Sequence, residues 1–208
     1  MVKDNPELTI SSYEFEDGFN ESETALKLSR YFDIPTYAQK IQNIFSNENF
    51  RVYTSTDVVG VEIGGAAKNI IAIAAGICHG LGLGDNTMAA LVTRGLEEIT
   101  RLGLALGADR ATFSGLSGLG DLVVTAFSVH SRNRQVGVRI GKGEKLQDII
   151  SSMEMVAEGV ETARSIYNLS QLHKIEMPIC KAVYKILYKN ISPREAAQSL
   201  MLREIRTE

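Results

Sequence analysis

Three short segments of this 208-residue chain combine residue types that can carry out acid–base or anion-binding chemistry. The first segment is GGAAKN at 64–69, in which Lys68 follows four small residues that offer it no partner. A lysine in such surroundings is desolvated, paired or lining a cleft, and a lysine of that kind can act as a general acid or base. From this segment alone, a side chain that extends to the solvent is the simpler interpretation.

A glycine-rich segment, GLSGLGDL at 115–122, is the second candidate. Glycine lets a backbone approach another group closely, and Asp121 at the mouth of the following helix can accept hydrogen bonds from a polyol. Thr125 lies one helical turn further on the same face, so the two residues can address one ligand. An aspartate that only caps its own helix is the simpler interpretation of this segment.

The third segment, SRNR at 131–134, has the groups needed to bind a phosphate. Arg132 presents a planar guanidinium that can bind phosphate through two hydrogen bonds, and Ser131 and Asn133 add donors at the start of a helix. A solvated helix end is the alternative. A fourth segment, MVAEG at 155–159, places Val156 and Glu158 before a glycine, a pattern that is most often a loop.

Other kinds of site are not indicated. The histidines His79, His130 and His173 have no metal-ligand spacing with one another or with the cysteines, so no metal site is predicted. The chain has no G-x-S-x-G motif, and its two glycine-rich segments at 80–85 and 115–121 do not follow predicted strands, so neither is a dinucleotide-binding fingerprint. Cys78 and Cys180 lie in apolar helical patterns and are expected to be buried free thiols.

The elements that must position these residues are mostly helices. The apolar segment at 64–80 is rich in small residues, which let neighbouring backbones approach closely, and it is expected to be the central helix. Asn86 is expected to cap a helix that runs to Gly107, and Pro178 to open a further helix. Ser192 is expected to begin a capping box at the last helix. Residues 57–208 are therefore predicted to form an all-helical domain.

Residues 1–56 differ in pattern from the rest of the chain. They are rich in acidic residues up to position 23, and the segments 24–29 and 50–54 have the composition of strands. Between them, residues 35–45 carry apolar side chains at helical spacing. We therefore predict a short strand–helix–strand remnant of an α/β domain at 1–56.

Charge and composition exclude several classes of function. The formal net charge is −3 at pH 7 and there is no block of like charges, which disfavours a nucleic-acid partner. The N-terminus lacks the basic and apolar regions of a signal peptide. The longest apolar stretch, 63–78, is interrupted by Lys68 and Asn69 and is expected to be too short to cross about 30 Å of hydrocarbon. A soluble, cytoplasmic protein without a membrane span is predicted.

Taken together, the segments resemble one family. In this order, three strings are similar to the bacterial NAD(P)-dependent glycerol-3-phosphate dehydrogenases: FRVYTSTDVVGVEIGGAAKNIIAIAAGICHGLGLGDNTMAALVTRGLEEITRLG, GLSGLGDLVVT and SRNRQVG. The resemblance covers roughly residues 45–205. It reverses the simpler interpretations given above for the individual segments.

The resemblance implies a role for each candidate residue. Lys68 corresponds to the catalytic lysine of the family, the proton donor and acceptor at the second carbon of the substrate. The implied substrate-binding residues are Lys68, Asn69, Asp121, Thr125, Ser131, Arg132 and Asn133. The implied cofactor-contacting residues are Arg132, Val156 and Glu158.

The resemblance also implies a fold, a reaction and partners. The expected fold is mainly α, a helical bundle of the type shared with the C-terminal domain of 6-phosphogluconate dehydrogenase relatives. The family interconverts dihydroxyacetone phosphate and sn-glycerol 3-phosphate with NAD or NADP, which supplies glycerol phosphate for phospholipid synthesis. A homodimer is the expected assembly.

The sequence also departs from that family. A full Rossmann domain with its glycine fingerprint, a second substrate-contacting lysine and a GPSFA-like segment are not found, and SSYEFED at 11–17 stands roughly where the last would be expected. The chain is therefore expected to be the substrate-binding and catalytic half of such an enzyme. The alternatives are a truncated, non-catalytic helical module of the same fold that acts through oligomerisation, and a sister dehydrogenase acting on another phosphorylated substrate.

Overall fold

The computed structural model describes residues 34–202 except 154 and 156. Within this part of the chain all regular secondary structure is helical. The chain divides into two compact units, Met1–Thr56 and Asp57–Glu208. In chain order the helices are α1 Ile34–Phe45, α2 Val58–Gly80, α3 Asp85–Ala105, α4 Arg110–Ser114, α5 Asp121–Phe127, α6 Arg132–Gly141, α7 Leu146–Ser151, α8 Gly159–Leu172, α9 Pro178–Lys189 and α10 Pro193–Met201, with a π-helical turn, Leu116–Gly120, before α5.

The first unit contributes one described helix, α1, and an irregular segment after it. The strand expected at 50–54 is wrong, because this segment has no neighbouring strand to pair with in the described part of the chain. The backbone groups of Val52 bond to side chains instead: Gln42 Nε2 donates to the Val52 carbonyl at 2.8 Å, and Ser46 Oγ accepts the Val52 N–H at 3.1 Å. The strand expected at 24–29 and the segment at 11–17 lie outside the described residues.

Helix α2 is the centre of the second unit, as predicted. Its Ile70, Ile71 and Ile73 are completely buried, and it packs against α3, α5, α6, α8 and α9. The helix begins where Asp57 Oδ1 accepts the N–H of Gly60 at 2.8 Å. It has 23 residues, so it is long and apolar enough to cross a bilayer, contrary to the expectation from 63–78. However, 56% of its most apolar window is buried inside the protein, which is the property of a core helix.

The crossing of α2 and α6 brings two backbones into contact. A Cβ atom built on Gly137 would lie 2.9 Å from the Cα of Gly76, and one built on Gly80 would lie 2.9 Å from the Cα of Gly141. No side chain fits between the helices at these positions, so glycine is required there. The two helices run side by side in the same direction, and the first turn of α6 therefore lies beside the residues of α2 that carry candidate site groups.

The ends of the other helices test the expected caps. Ser192 Oγ accepts the N–H of Glu195 at 3.1 Å, so the cap of the last helix is confirmed. Pro178 is the first residue of α9, also as expected. Helix α3 begins two residues earlier than predicted, with Gly84 rather than Asn86 at the N-cap position. Both cysteines are free thiols, Cys180 buried and Cys78 half-buried.

A buried carboxyl group accepts the first N–H groups of α9. Glu98, on α3, is 1% exposed and accepts hydrogen bonds from the N–H groups of Ile179 at 2.7 Å and Cys180 at 3.1 Å. The N-cap residue of α9, Met177, makes no side-chain bond of its own. Burial raises the pKa of Glu98 from 4.5 to about 7, although the two N–H donors and the nearby Arg101 act in the opposite direction.

Candidate functional site

A lysine–carboxylate pair forms one side of the candidate site. Lys68 projects from α2 and its Nζ is paired with Oδ2 of Asp121, the first residue of α5. The two side chains are 20% and 33% exposed. The pairing depends on Gly64, because a Cβ there would lie 2.7 Å from the carbonyl oxygen of Ser117. The π-turn can therefore lie directly on α2, and Asp121 comes within reach of the lysine.

Thr125 connects this pair to a neighbouring cavity. Its hydroxyl donates to the backbone carbonyl of Asp121 at 2.6 Å and lies 3.4 Å from the Asp121 carboxylate. Thr125 itself lines the cavity, as does Asn69, the residue that follows Lys68. The ion pair therefore adjoins the cavity without forming its wall.

The cavity has a volume of about 320 Å³ and is open to solvent. Eight of its nine lining residues are polar or charged, and the lining consists of Asn69, Val124, Thr125, Ser128, His130, Ser131, Arg132, Asn133 and Glu158. Ser128 and His130 were missed by the sequence analysis. The signal that would have found them is their place in the short loop between two segments already assigned to the site.

The start of α6 supplies the groups suited to an anion. Ser131 is the N-cap, and its Oγ accepts the N–H of Arg134 at 3.3 Å. Arg132 is the first residue of the helix and lines the cavity. Backbone N–H groups at a helix N-terminus, together with a guanidinium, attract and bind negatively charged groups.

The two asparagines among the predicted substrate-binding residues are held mainly by the protein. Asn69 and Asn133 are 8% and 9% exposed, and Asn133 Nδ2 donates to Asn69 Oδ1 at 2.9 Å. Asn133 Oδ1 accepts the N–H of Gly159 at 2.9 Å. Both side chains therefore border the cavity while they bond to one another.

The predicted cofactor-contacting residues are only partly described. Glu158 lies at the cavity and is exposed to solvent, and Arg132 also lines the cavity. Val156 lies outside the described residues. Among the residues that are described, no group of three histidine, cysteine, aspartate or glutamate side chains is placed to hold a metal ion.

The helical bundle thus places a lysine–aspartate pair beside a polar cavity with an arginine at a helix N-terminus, which are groups suited to acid–base chemistry on an anionic molecule. Residues 57–198 match the family described as the C-terminus of NAD-dependent glycerol-3-phosphate dehydrogenase. The chain belongs to this family, and the helical fold expected from the resemblance is confirmed.

Similar proteins agree with this assignment. The chain is 58% identical over 168 residues to a glycerol-3-phosphate dehydrogenase [NAD(P)+] of Thermoanaerobacter sp., covering 81% of this chain and 51% of the relative. It is 56% identical over 185 residues to the protein of the same name from Carboxydothermus hydrogenoformans, covering 89% and 54%. The crystal structure of glycerol-3-phosphate dehydrogenase from Coxiella burnetii superimposes with a TM-score of 0.79 at 39% identity, covering 82% of this chain and 53% of that one. The chain thus spans about half the length of the curated relatives it matches.

Proposed function

We propose that this chain is the substrate-binding and catalytic half of an NAD(P)-dependent glycerol-3-phosphate dehydrogenase, which interconverts dihydroxyacetone phosphate and sn-glycerol 3-phosphate. The observation that carries the proposal is the Lys68–Asp121 pair beside the cavity lined by Ser131 and Arg132. The names of the relatives support the reaction. The product would supply glycerol phosphate for phospholipid synthesis.

Lys68 is the proposed acid and base at the second carbon of the substrate. Reduction of the ketone places negative charge on its oxygen, and an ammonium held beside that oxygen stabilises the charge and then donates a proton. In the reverse direction, the neutral amine accepts the proton from the alcohol. Asp121 holds the lysine side chain in place, and with Thr125 it offers acceptors to the hydroxyl groups of the substrate.

Arg132 and Ser131 are the proposed phosphate-binding residues. Arginine can form two parallel hydrogen bonds to a phosphate, which fixes the orientation of the group as well as its position. A phosphate held at the start of α6 places the rest of a three-carbon substrate toward Thr125 and the Lys68–Asp121 pair. Positioning of this kind lowers the barrier by removing the need to bring the reacting groups together.

The proposed cofactor is NAD or NADP, and two of the described cavity residues can contact part of it. Arg132 and Glu158 line the cavity and can contact the nicotinamide nucleotide, and Val156 is proposed as a further contact. When bound, the nicotinamide supplies or accepts the hydride. The pyrophosphate of a dinucleotide usually binds where a strand is followed by a glycine-rich helix start. The described residues contain no such arrangement.

The partners and location of the protein are also proposals. A net charge of −3 supports the absence of a nucleic-acid partner, and we propose a homodimer in the cytoplasm. A non-catalytic module that acts only through oligomerisation is not favoured, because such a module has no need for an ion pair beside a polar cavity.

Titration of the chain with glycerol 3-phosphate tests the proposed function. A charge-assisted hydrogen bond contributes roughly 1.5–3 kcal/mol, so Arg132→Ala should weaken binding by about one to two orders of magnitude. Arg132→Lys should not restore it, because a lysine cannot reproduce the two parallel bonds. Arg139→Ala is the matched control, since Arg139 lies on the same helix but pairs with Glu144 away from the cavity.

Calorimetry or NMR at millimolar ligand distinguishes the hypotheses. Weaker binding by both Arg132 variants, with unchanged binding by the Arg139 variant, supports the proposal. Equal affinities of wild type and Arg132→Ala, or no binding to either protein, would favour the non-catalytic module instead.

A further inference from the structure

Two buried side-chain amides in the cavity lining join three helices. Asn69 on α2, Asn133 on α6 and the backbone N–H of Gly159 on α8 form a continuous chain of hydrogen bonds, each 2.9 Å long. Both side chains are more than nine-tenths buried. A buried polar group without a partner destabilises a protein, so the two bonds constrain one another.

The amide of Asn133 takes the place of a cap for helix α8. Glu158, at the N-cap position, makes no side-chain bond to the helix, and the first N–H of the helix is satisfied by Asn133 from α6. A Cβ atom on Gly159 would lie 2.7 Å from Asn133 Oδ1 and 2.9 Å from the carbonyl oxygen of Asn69. The start of α8 therefore lies directly on the amide pair, and only glycine fits there.

The orientation of the Asn133 carboxamide is fixed by its partners. Its oxygen accepts the N–H of Gly159 while its nitrogen donates to Asn69. Rotating the group by about 180° would place two acceptor oxygens together at Asn69 and two donor groups together at Gly159. Arg132 precedes Asn133 in the chain, and Glu158 precedes Gly159. Each end of the Asn133–Gly159 bond is therefore one residue from a side chain that lines the cavity.

We infer that Asn133 is a positioning residue, which sets the position of Glu158 relative to Arg132 through a buried amide relay formed by Asn69, Asn133 and Gly159. This inference rests on the proposed function, since it assigns the relay to the substrate and cofactor cavity. It extends the expected role of Asn133 beyond contact with the substrate. The relay links the helix that carries the lysine, the phosphate-binding helix start and the turn at 157–159.

The first test needs no ligand. Asn133→Leu keeps the approximate shape of the side chain and removes the acceptor, so hydrogen exchange of the Gly159 amide should accelerate by about tenfold or more. Asn133→Asp keeps an acceptor for Gly159, and Asn69 can turn its own N–H₂ toward the carboxylate, so protection should be retained. Ser131→Ala, which removes only the cap bond to Arg134, is the control and should leave Gly159 protected. Unchanged protection of Gly159 in Asn133→Leu would overturn the relay.

The second test asks whether ligand binding is transmitted. Glycerol 3-phosphate added to the ¹⁵N-labelled chain should shift the Gly159 resonance in wild type. In Asn133→Leu the resonances around Arg132 should still shift while Gly159 responds at least several-fold less. An equal response of Gly159 in the leucine variant contradicts the coupling. Absence of any shift in wild type counts against the proposed function, and the exchange experiment then decides the relay separately.

A measurement on the wild-type protein covers the case in which Asn133→Leu does not fold. A scalar coupling across the hydrogen bond, between the amide nitrogen of Gly159 and the side-chain carbonyl carbon of Asn133, should be detectable in a ¹³C,¹⁵N-labelled sample. Its detection supports the relay without any substitution. Its absence, in a sample where couplings across backbone hydrogen bonds of α2 are observed, would rule the relay out.

Discussion

Replacing Glu98 by glutamine is expected to remove a large pH dependence from the unfolding free energy of the protein. The carboxylate of Glu98 is 1% exposed and bonds to the N–H groups of Ile179 and Cys180. Burial raises its pKa from 4.5 to about 7 in the folded protein. The unfolded chain exposes the group to water, where its ordinary pKa returns.

The sign of the effect follows from which state holds the proton. Between pH 4.5 and about 7 the folded state keeps Glu98 protonated while the unfolded state does not, so stability falls as the pH rises through this range. A difference of about 2.5 in pKa corresponds to about 3 kcal/mol, which is fully present below pH 4.5 and lost above pH 7. Glutamine cannot titrate, and it also retains only one of the two acceptor oxygens.

Urea unfolding from pH 5 to pH 8 measures the effect. The stability difference between wild type and Glu98→Gln should shift by about 2–3 kcal/mol over this range, in the direction of a relatively less stable wild type at high pH. Glu97→Gln is the matched control, because Glu97 is the preceding residue of the same helix but its side chain is 44% exposed. Parallel pH profiles for wild type and Glu98→Gln would refute the assignment of a protonated, buried Glu98.

Three further predictions concern the fold and the reaction. Gly137→Ala should destabilise the protein by about 1–3 kcal/mol in urea unfolding, because the new Cβ atom would lie too close to the Cα of Gly76. Gly65→Ala is the control: a Cβ atom there would have nothing within 4 Å, so the change should be neutral or stabilising by up to about 1 kcal/mol. Asp57→Ala should cost about 2 kcal/mol in the same assay, because the carboxylate caps α2 and also accepts the hydroxyl of Thr112 at 2.5 Å; a loss below about 0.5 kcal/mol would contradict this. The 208-residue chain alone should show no dehydrogenase turnover, because its described residues contain no pyrophosphate-binding loop to hold the cofactor. Misplacing the nicotinamide by about 1 Å can lower the rate 10²-fold; oxidation of NADH or NADPH dependent on dihydroxyacetone phosphate would disprove the prediction.

The central helix and the candidate site residues could be anticipated from the sequence for different reasons. Helix α2 follows from composition, since the small residues of a long apolar segment rich in alanine and glycine favour close packing against other helices. The pairing of Lys68 with Asp121 could not be derived from spacing, because 53 positions separate the two residues. Only the resemblance of whole motifs to a known family brought these residues into one hypothesis.

Features that depend on tertiary contacts were not predictable. Glu98 reads as one of several acidic residues on a helix surface, and nothing local indicates that it caps a helix about 80 positions away. The strand expected at 50–54 has suitable residues, but a strand also requires a partner, which local composition does not supply. The start of α3 at Asp85 shows that glycine can occupy an N-cap position that asparagine was expected to fill.

The contact between the backbones of α2 and α6 has a consequence for how the protein opens. Helices that touch without intervening side chains cannot separate gradually, because water enters only when the whole interface is broken. Their amide hydrogens should therefore be among the slowest to exchange in the described part of the chain. Lys68 and Arg132 lie on these two helices, so the distance between them is set by the part of the fold that is expected to open last. Any adjustment of the cavity to a ligand is then expected to come from helix α5, whose Val124 and Thr125 line it.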